Sequence, residues 1–238
     1  DTGRYLEVND GFCRLTGYRA EEVVGKTVYQ IGIWAEEKQR SALLAELQIK
    51  GRVHHQEMLG RNKRGELLTV EVSIEPITLN ETACLLLTAR DVSLLKNAEA
   101  QIRHLAYHDP LTNLPNRALL MDRLSQQIAL LKRHNLRGAL LFLDLDHFKH
   151  INDSLGHPVG DTVLKIITAR LEASVRMEDT VARLGGDEFV VLLSGLEGTR
   201  NEVSAQVREL ADTIRELLSE PMFLDGQRLQ VTPSIGVA

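Results

Sequence analysis

The chain has 238 residues, 43% hydrophobic and 26% charged, an ordinary globular balance that allows one large or two ordinary domains. Its formal net charge of −5 speaks against a dedicated nucleic-acid surface, which needs a basic excess. Apolar runs such as Ala139–Leu143 and Cys84–Leu87 are far too short to span a bilayer, and no signal-peptide pattern opens the chain. Two cysteines, Cys13 and Cys84, in a chain able to fill a core predict reduced thiols in a cytoplasmic setting. The chain starts at Asp1 and stops after the strand-like VTPSIGVA, so an internal piece of a longer protein is expected.

In chain order, Gly3–Asn9 alternates like a strand, and Asp10–Thr16 reads as a helical turn ended by Gly17. His54 and His55 begin a strand. Adjacent strand residues point to opposite faces, so at most one of them faces a pocket, and haem ligation is the less favoured reading. Leu67–Ile77 places Val70, Val72 and Ile74 on one face of a half-buried strand. Arg61–Gly65 forms a polar hairpin turn before it, and Ala83–Ala89 is a further strand. In SLLKNAEAQIRHLAYHD, Leu95, Ala98, Ile102 and Leu105 fall at spacings of 3, 4 and 3, the a/d stripe of a two-heptad coiled coil. Such a stripe must be buried, against its own domain or, more economically, against a second copy of itself.

Beyond His108 the elements lengthen. Asp109-Pro110 breaks the helix, and Pro115 opens another with Leu120, Leu124, Ile128 and Leu131 on its apolar face. Ala139–Leu143 reads as a strand buried on both sides. A helix after Asp161 shows Leu164, Ile167, Leu171 and Val175, and a later one shows Val203, Val207, Leu210, Ile214 and Leu217. Val231–Val237 is a last strand. The order α-β-α-β-β-α-β predicts an α/β domain of mixed strand direction with helices packed on the sheet.

The chemistry concentrates in RLGGDEFVVLL, Arg183–Leu193. Val181–Leu184 and Phe189–Leu193 read as strands, and Gly185-Gly186 supplies the positive φ angles of a tight turn. Two adjacent carboxylates at such a tip repel, and a divalent cation among them is an economical explanation. Asp144 and Asp146 end the preceding apolar strand with their side chains on one face, which suits a ligand site better than a core; a helix N-cap would account for one of them. Asn152 and Asp161 flank Gly156–Gly160, read as a loop that holds polar side chains apart. An amide and a carboxylate can together read a guanine edge.

The segments DPLTNLPNR (Asp109–Arg117), DLDHFKHINDSLGHPVGD (Asp144–Asp161), RLGGDEF (Arg183–Phe189) and SIGVA (Ser234–Ala238) resemble, in wording and order, the GGDEF family of diguanylate cyclases over roughly 130 residues. NDGFCRLTGYRAEEVVGK, GRNKRGELLTVEVSIEPI and RDVS resemble a PAS domain by layout. The resemblance implies an α+β to α/β protein in three parts. A PAS domain over 1–92 has an antiparallel sheet, short helices and no first strand; a signalling coiled-coil helix covers 93–107. A GGDEF domain over 108–238 has a mixed sheet and flanking helices, is similar to cyclase and polymerase palm domains, and lacks its C-terminal helix. That helix carries the family's phosphate-gripping Lys and Arg, so a protein ending at Ala238 is expected to bind GTP poorly.

The implied reaction condenses two GTP into cyclic di-GMP and two pyrophosphates. Asp144, the Leu145 carbonyl, Asp187 and Glu188 would hold Mg²⁺ or Mn²⁺, and Asp187 with Glu188 would be catalytic. His147, Phe148 and Lys149 would meet the phosphates at a helix start, while Asn152, Asp161 and His157 would take the guanine side. Arg176 and Asp179, in RMED, resemble the family's inhibitory product site; an exposed i,i+3 ion pair is the plainer reading. Arg208 and Arg215 are candidates for a neighbouring arginine at that site. Arg183 is expected in a structural ion pair, with Asp109 as partner. Implied partners are GTP, cyclic di-GMP and a second copy through the PAS part and linker helix, with no nucleic acid and no membrane in this segment. The localisation implied is cytoplasmic, free or as the cytoplasmic part of a membrane-anchored protein. The PAS ligand is unassigned. The alternative is a GTP-binding regulatory module ahead of an EAL cyclic di-GMP phosphodiesterase domain.

Overall fold

In the computed structural model, which describes residues 3–224 and 226–238, the backbone divides into two units, one running to Gln101 and the other beginning at Ile102. The first unit opens with α1 (Asp10–Thr16), whose start is capped by Asn9 Oδ1 accepting from the Phe12 amide at 2.9 Å and whose end is Gly17 at φ 74°. Two single-turn helices, α2 (Ala20–Val23) and α3 (Val28–Ile31), lead to α4 (Glu37–Lys50). An antiparallel sheet follows in the order β1 (Val53–Arg61), β2 (Leu67–Leu79), β3 (Thr82–Asp91). Its covered face carries Val53, Met58, Val72 and Ile74, packed with Leu43 of α4 and with Trp34.

Two local readings change here. Gly3–Asn9 is not a strand: Tyr5 exchanges backbone hydrogen bonds with Lys26 and Gly25 in a turn, which leaves Arg4 and Thr27 as an isolated bridge. The alternation expected at His54 and His55 is also lost. The register shifts between Val53 and Gln56, and His55 adopts φ 52°. Both imidazoles then lie exposed beside carboxylates of the solvent face, His54 with Glu75 at 3.5 Å and His55 with Glu71 at 3.2 Å.

Helix α5 (Ser93–Tyr107) buries no residue; Leu95, Ile102 and Leu105 are 54%, 67% and 59% exposed. Its last turn is tied to the following strap, where Asn116 donates from Nδ2 to the Ala106 carbonyl and from its backbone amide to the Tyr107 carbonyl, both at 2.9 Å.

In the second unit, α6 (Arg117–His134) starts two residues after Pro115, because Asn116 Oδ1 caps the amides of Ala118 and Leu119. Next come β4 (Arg137–Leu145), α7 (Phe148–Leu155), α8 (His157–Ser174), the hairpin β5 (Thr180–Gly185) and β6 (Glu188–Leu196), and α9 (Arg200–Leu218). A small hairpin of β7 (Met222–Leu224) and β8 (Gln227–Leu229), which sequence periodicity does not reveal, precedes β9 (Pro233–Val237). The sheet order is β5-β6-β4-β9 with every pairing antiparallel. Strands β4 and β5 do run the same way, but β6 lies between them, so the expected mixture of directions becomes an alternation.

The helices pack on opposite faces. Leu141, Leu143 and Leu145 of β4 sit in the main core with Phe148 of α7, Val163, Ile167 and Leu171 of α8, and Ile214 of α9. Leu120 of α6 packs against Ala182, Val190 and Leu192 on the other face. That second face is only half covered. Strand β4 alternates between buried and open positions, and Phe142 is 48% exposed, so the run Ala139–Leu143 is not the doubly buried strand its composition suggests. An antiparallel sheet leaves one face free where no helix reaches.

Candidate active site

The hairpin between β5 and β6 is built by Gly185 at φ 144° and Gly186 at φ 55°, angles an L side chain rarely adopts. It is held from beneath by Arg183, whose side chain is buried. The guanidinium donates twice to the Gly186 carbonyl, from Nε at 3.0 Å and Nη2 at 2.6 Å, and Nη1 meets Asp109 Oδ1 at 2.8 Å. The structure thus contains the Arg183–Asp109 ion pair expected from the sequence.

This turn delivers Asp187, half-buried, and Glu188, exposed, to the end of the sheet where β4 terminates. Asp144 lies opposite Glu188 in the register on one side and opposite Ser234 on the other. Its carboxyl is pushed above the usual range, first by partial burial and then by the charges of Asp187, Glu188 and Asp146. Asp146 has a different task. Its two oxygens accept from the hydroxyls of Thr232 and Ser234, each at 2.7 Å, and these bonds hold its carboxyl below the usual range. It pins the chain entering β9 to the end of β4.

Among the described residues, no three His, Cys, Asp or Glu side chains stand close enough to hold a metal ion by themselves. The donors that do gather are carboxylate oxygens, which suit a hard cation. An ion held by one or two carboxylates, with phosphate and water completing its shell, fits this set better than a closed protein cage does. Leu145 is buried at the end of β4, so only its backbone is available to such a site.

Beyond β4 the chain turns through His147 at φ 60° into α7, whose first turn has no side-chain cap. The His150 amide bonds the His147 carbonyl at 2.9 Å, which leaves the Phe148 and Lys149 amides to an anion, with the Lys149 side chain exposed beside them. Phe148 is buried in the core, so its side chain is structural and only its amide can face the site. Gly156–Gly160 is not a loop: α8 begins at His157, with Pro158 in its first turn, directly after Gly156 at φ 86°. Asn152 therefore sits on α7, and His157 and Asp161, both exposed, sit on α8. Gly160 explains the glycine inside a helix. A Cβ there would overlap Asn152 Oδ1 and would come within 3.2 Å of the Phe148 ring. Its absence lets the Asn152 amide lie against the turn that carries Asp161.

Arg176 and Asp179 lie at the other end of β5. Their side chains make no ion pair: Asp179 accepts from the amides of Arg176 and Ser194, both at 3.1 Å, while the exposed Arg176 guanidinium has no partner among the described residues. Arg215 pairs with Asp212 at 3.1 Å.

Sequence reasoning missed one region. A cleft of about 490 Å³ opens on the half-covered face of the sheet, lined by Arg117, Phe142, Asp144, Glu188, Ser234 and Gly236 among others. Arg117 and Asp144 are distant in sequence, and no periodicity connects them.

Comparison with known proteins places these features. The family model described as "Diguanylate cyclase, GGDEF domain" matches residues 106–238, and a PAS domain model matches residues 1–93. The chain is 43% identical over 145 residues to diguanylate cyclase TpbB of Pseudomonas aeruginosa, covering 60% of this chain and 32% of that protein. It is 43% identical over 144 residues to the bifunctional diguanylate cyclase/cyclic di-GMP phosphodiesterase MucR of the same organism, covering 60% and 20%. The chain thus spans a third or less of these relatives. A solved structure of the coiled coil and GGDEF domain of DgcB from Caulobacter crescentus, in complex with c-di-GMP, is 28% identical; it covers 61% of this chain and 75% of that one at a TM-score of 0.53. The chain belongs to the diguanylate cyclase GGDEF family and carries a PAS domain ahead of its GGDEF domain.

Proposed function

We propose that the protein is a signal-regulated diguanylate cyclase that joins two GTP molecules into cyclic di-GMP, releasing two pyrophosphates. The observation that carries this reading is the meeting of Asp144 and Glu188 across adjacent strands, with Asp187 in the turn between. Partial burial, and after it the charges of Asp187, Glu188 and Asp146, raise the Asp144 carboxyl, and a carboxylate set so placed favours a site that takes up a cation with an anionic substrate. Asp144, Asp187, Glu188 and the Leu145 carbonyl would hold the ion, Mg²⁺ or Mn²⁺. Such an ion would screen the triphosphate and polarise the α-phosphoryl group.

The chain's own groups do the rest. Asn152 and Asp161 read the guanine edge, with His157 beside them, and the uncapped first turn of α7, from His147 through Lys149, takes phosphate oxygens. Asp187 accepts the proton of the attacking 3′-hydroxyl. The 3′-oxygen bonds to the α-phosphorus in line, the bond to the β-phosphate oxygen breaks, and pyrophosphate leaves.

One domain holds one GTP, so two copies must face each other. The uncovered stripe Leu95, Ile102 and Leu105 supports a homodimer through α5, with the PAS part assisting; each of these side chains gains up to about 1.5 kcal/mol when buried. A cytoplasmic location for this segment belongs to the same reading; among the described residues no helix is long and apolar enough to cross a membrane. Arg176 and Asp179 form the inhibitory product site.

The test is GTP turnover by the full-length protein with Mg²⁺, against Asp187→Ala. Cyclic dinucleotide from the first and none from the second is expected. A dimer that binds Mg²⁺ and GTP but makes no product overturns the reading. The similarity to MucR favours one alternative, a GTP-binding regulatory module ahead of an EAL phosphodiesterase domain. GTP-stimulated cyclic di-GMP hydrolysis without GTP turnover would select it.

A further inference from the structure

Two imidazoles share one face at the end of α5. His104 lies in its last turn, and His108 directly follows Tyr107, with its amide still bonded to the His104 carbonyl at 2.8 Å. Residues four apart on a helix are neighbours, and here the two rings stack, centroids 4.5 Å apart and planes 8° from parallel. Relative to the stripe Leu95, Ala98, Ile102 and Leu105, they occupy the c and g positions of the heptad, outside the apolar a/d seam. Pairing of two copies along that stripe leaves both rings reachable.

One residue holds both rings. Asn113, at φ 63° on the strap after α5, offers Oδ1 to His104 Nε2 at 2.7 Å and its backbone carbonyl to His108 Nδ1 at 2.9 Å. Both oxygens only accept, so each of those ring nitrogens carries the proton. The other two nitrogens, His104 Nδ1 and His108 Nε2, are left as lone pairs without a partner among the described residues. A ligating histidine is held in this way: one nitrogen donates to an oxygen, which fixes the tautomer, and the other meets the metal. Closing the helix end would need only the bond from His108 to the Asn113 carbonyl. The second imidazole, stacked on the first and fixed by the same residue, goes beyond that need.

We propose that His104 Nδ1 and His108 Nε2 chelate one divalent transition-metal ion, Zn²⁺ or its neighbours Ni²⁺ and Cu²⁺. Two ligands of a tetrahedral Zn²⁺ stand about 3.3 Å apart, which small side-chain rotations reach from stacked rings. Imidazole nitrogens select these ions over Mg²⁺, which prefers oxygen, so the site is chemically distinct from the carboxylates around Asp144 and independent of the cyclase reading. Among the described residues no third His, Cys, Asp or Glu completes the set. Water then fills the remaining positions, and the ion exchanges freely where a closed structural centre would keep it. His108 precedes Asp109, the partner of Arg183, so a bound ion fastens the end of α5 to the strap that steadies the carboxylate turn.

The test titrates Zn²⁺ into the untagged full-length protein under excess Mg²⁺, which competes for the carboxylates. The variants are His104→Gln and His108→Asn, since glutamine keeps a donor near the Nε2 position and asparagine one near Nδ1. Each retains its bond to Asn113 and loses only the free nitrogen, so melting without Zn²⁺ should be unchanged. The parent should bind one Zn²⁺ per chain that either variant binds about 100-fold more weakly, the loss of a chelate. Asn113→Gly, which suits the positive φ and removes Oδ1, should weaken binding about tenfold. Cu²⁺ supplies a second readout: its electron paramagnetic resonance spectrum should show two ligating nitrogens in the parent and one in either variant. Zn²⁺ affinities that agree within about threefold across parent and variants overturn the site. A loss confined to one variant also overturns it, because a single imidazole is then the ligand. A parent spectrum with one nitrogen or none decides against the chelate whatever the variants do.

Discussion

Arg183 Nη1 and Asp109 Oδ1 lie 2.8 Å apart with side chains only 9% and 16% exposed, and the same guanidinium holds the Gly186 carbonyl. One arginine therefore ties the strap before α6 to the turn that carries Asp187 and Glu188. Burial alone would raise the Asp109 carboxyl, but hydrogen bonds from Thr112 and Arg183 outweigh it, and the group sits below its usual range. A lowered folded-state pKa contributes stability that is complete above the unfolded value and is lost as pH falls through the folded one.

Arg183→Ala should therefore be costly. It leaves the Asp109 carboxylate in a poorly solvated place and frees the glycine turn. A loss of roughly 3 kcal/mol is expected in chemical denaturation near neutral pH. Asp109→Asn should lose less, since its amide oxygen can still accept from Arg183. As the pH falls toward the acid range the penalty of Arg183→Ala should shrink, because a proton then relieves the partly buried Asp109 carboxylate that has lost its guanidinium. A penalty unchanged by pH would mean that the pair is not what stabilises the turn.

Asp144 has the opposite sign. Its folded-state pKa lies above the unfolded value, so ionisation removes stability as pH rises through the unfolded pKa and then the folded one. Asp144→Asn removes both the cost of partly burying that charge and its repulsion by Asp187, Glu188 and Asp146. Without divalent cation at pH 7.5 the variant should melt about 2 °C above the parent, and at pH 4 the two should converge. Added Mg²⁺ with a GTP analogue should raise the melting temperature of the parent and leave that of the variant nearly unmoved. A variant that melts below the parent at pH 7.5 would refute the crowding.

The carboxylate turn was legible because its signal is local. Two glycines at positive φ between two short apolar runs define a hairpin, whatever surrounds it. The stretch from Gly156 to Gly160 misled for a related reason. Glycine and proline usually mark a loop, but Pro158 fits the first turn of α8, and Gly160 makes room for Asn152. That need comes from α7 crossing α8, a tertiary fact. Helix α4 leaves no such signal in the sequence, because its apolar residues form no clean stripe; only Leu43 of it joins the core of its unit outright. The exposure of Phe142 is likewise set by how far α6 reaches along the sheet, and the run Ala139–Leu143 carries no trace of that.

Gly160→Ala tests the close approach directly. Alanine favours a helix interior by up to about 1 kcal/mol over glycine, so the isolated helix would gain. The added methyl, however, overlaps Asn152 Oδ1 and must turn that amide away or part the two helices. Affinity for a GTP analogue should fall about tenfold, the loss of one or two hydrogen bonds to guanine, while kcat at saturating GTP changes little. Asn152→Ala in the Gly160→Ala background should add little further loss. Independent, additive losses would mean that Gly160→Ala does not act through the Asn152 amide.

Arg176 and Asp179 differ in how much of the fold depends on them, and this decides which one tests the inhibitory site. Asp179 accepts from two amides, that of Arg176 and that of Ser194 on β6, so its removal loosens the edge of the hairpin as well as any ligand contact. Arg176 contributes only its backbone to this arrangement, and its guanidinium stands free in solvent. Arg176→Ala should therefore leave folding and the initial rate of GTP turnover unchanged. Inhibition by cyclic di-GMP should weaken at least tenfold, the loss of a bidentate contact to phosphate or a stacked guanine. Progress curves with and without added cyclic di-GMP measure both quantities in one experiment. A curve that flattens as early as the parent's would remove Arg176 from product recognition and leave Asp179 with its structural task alone.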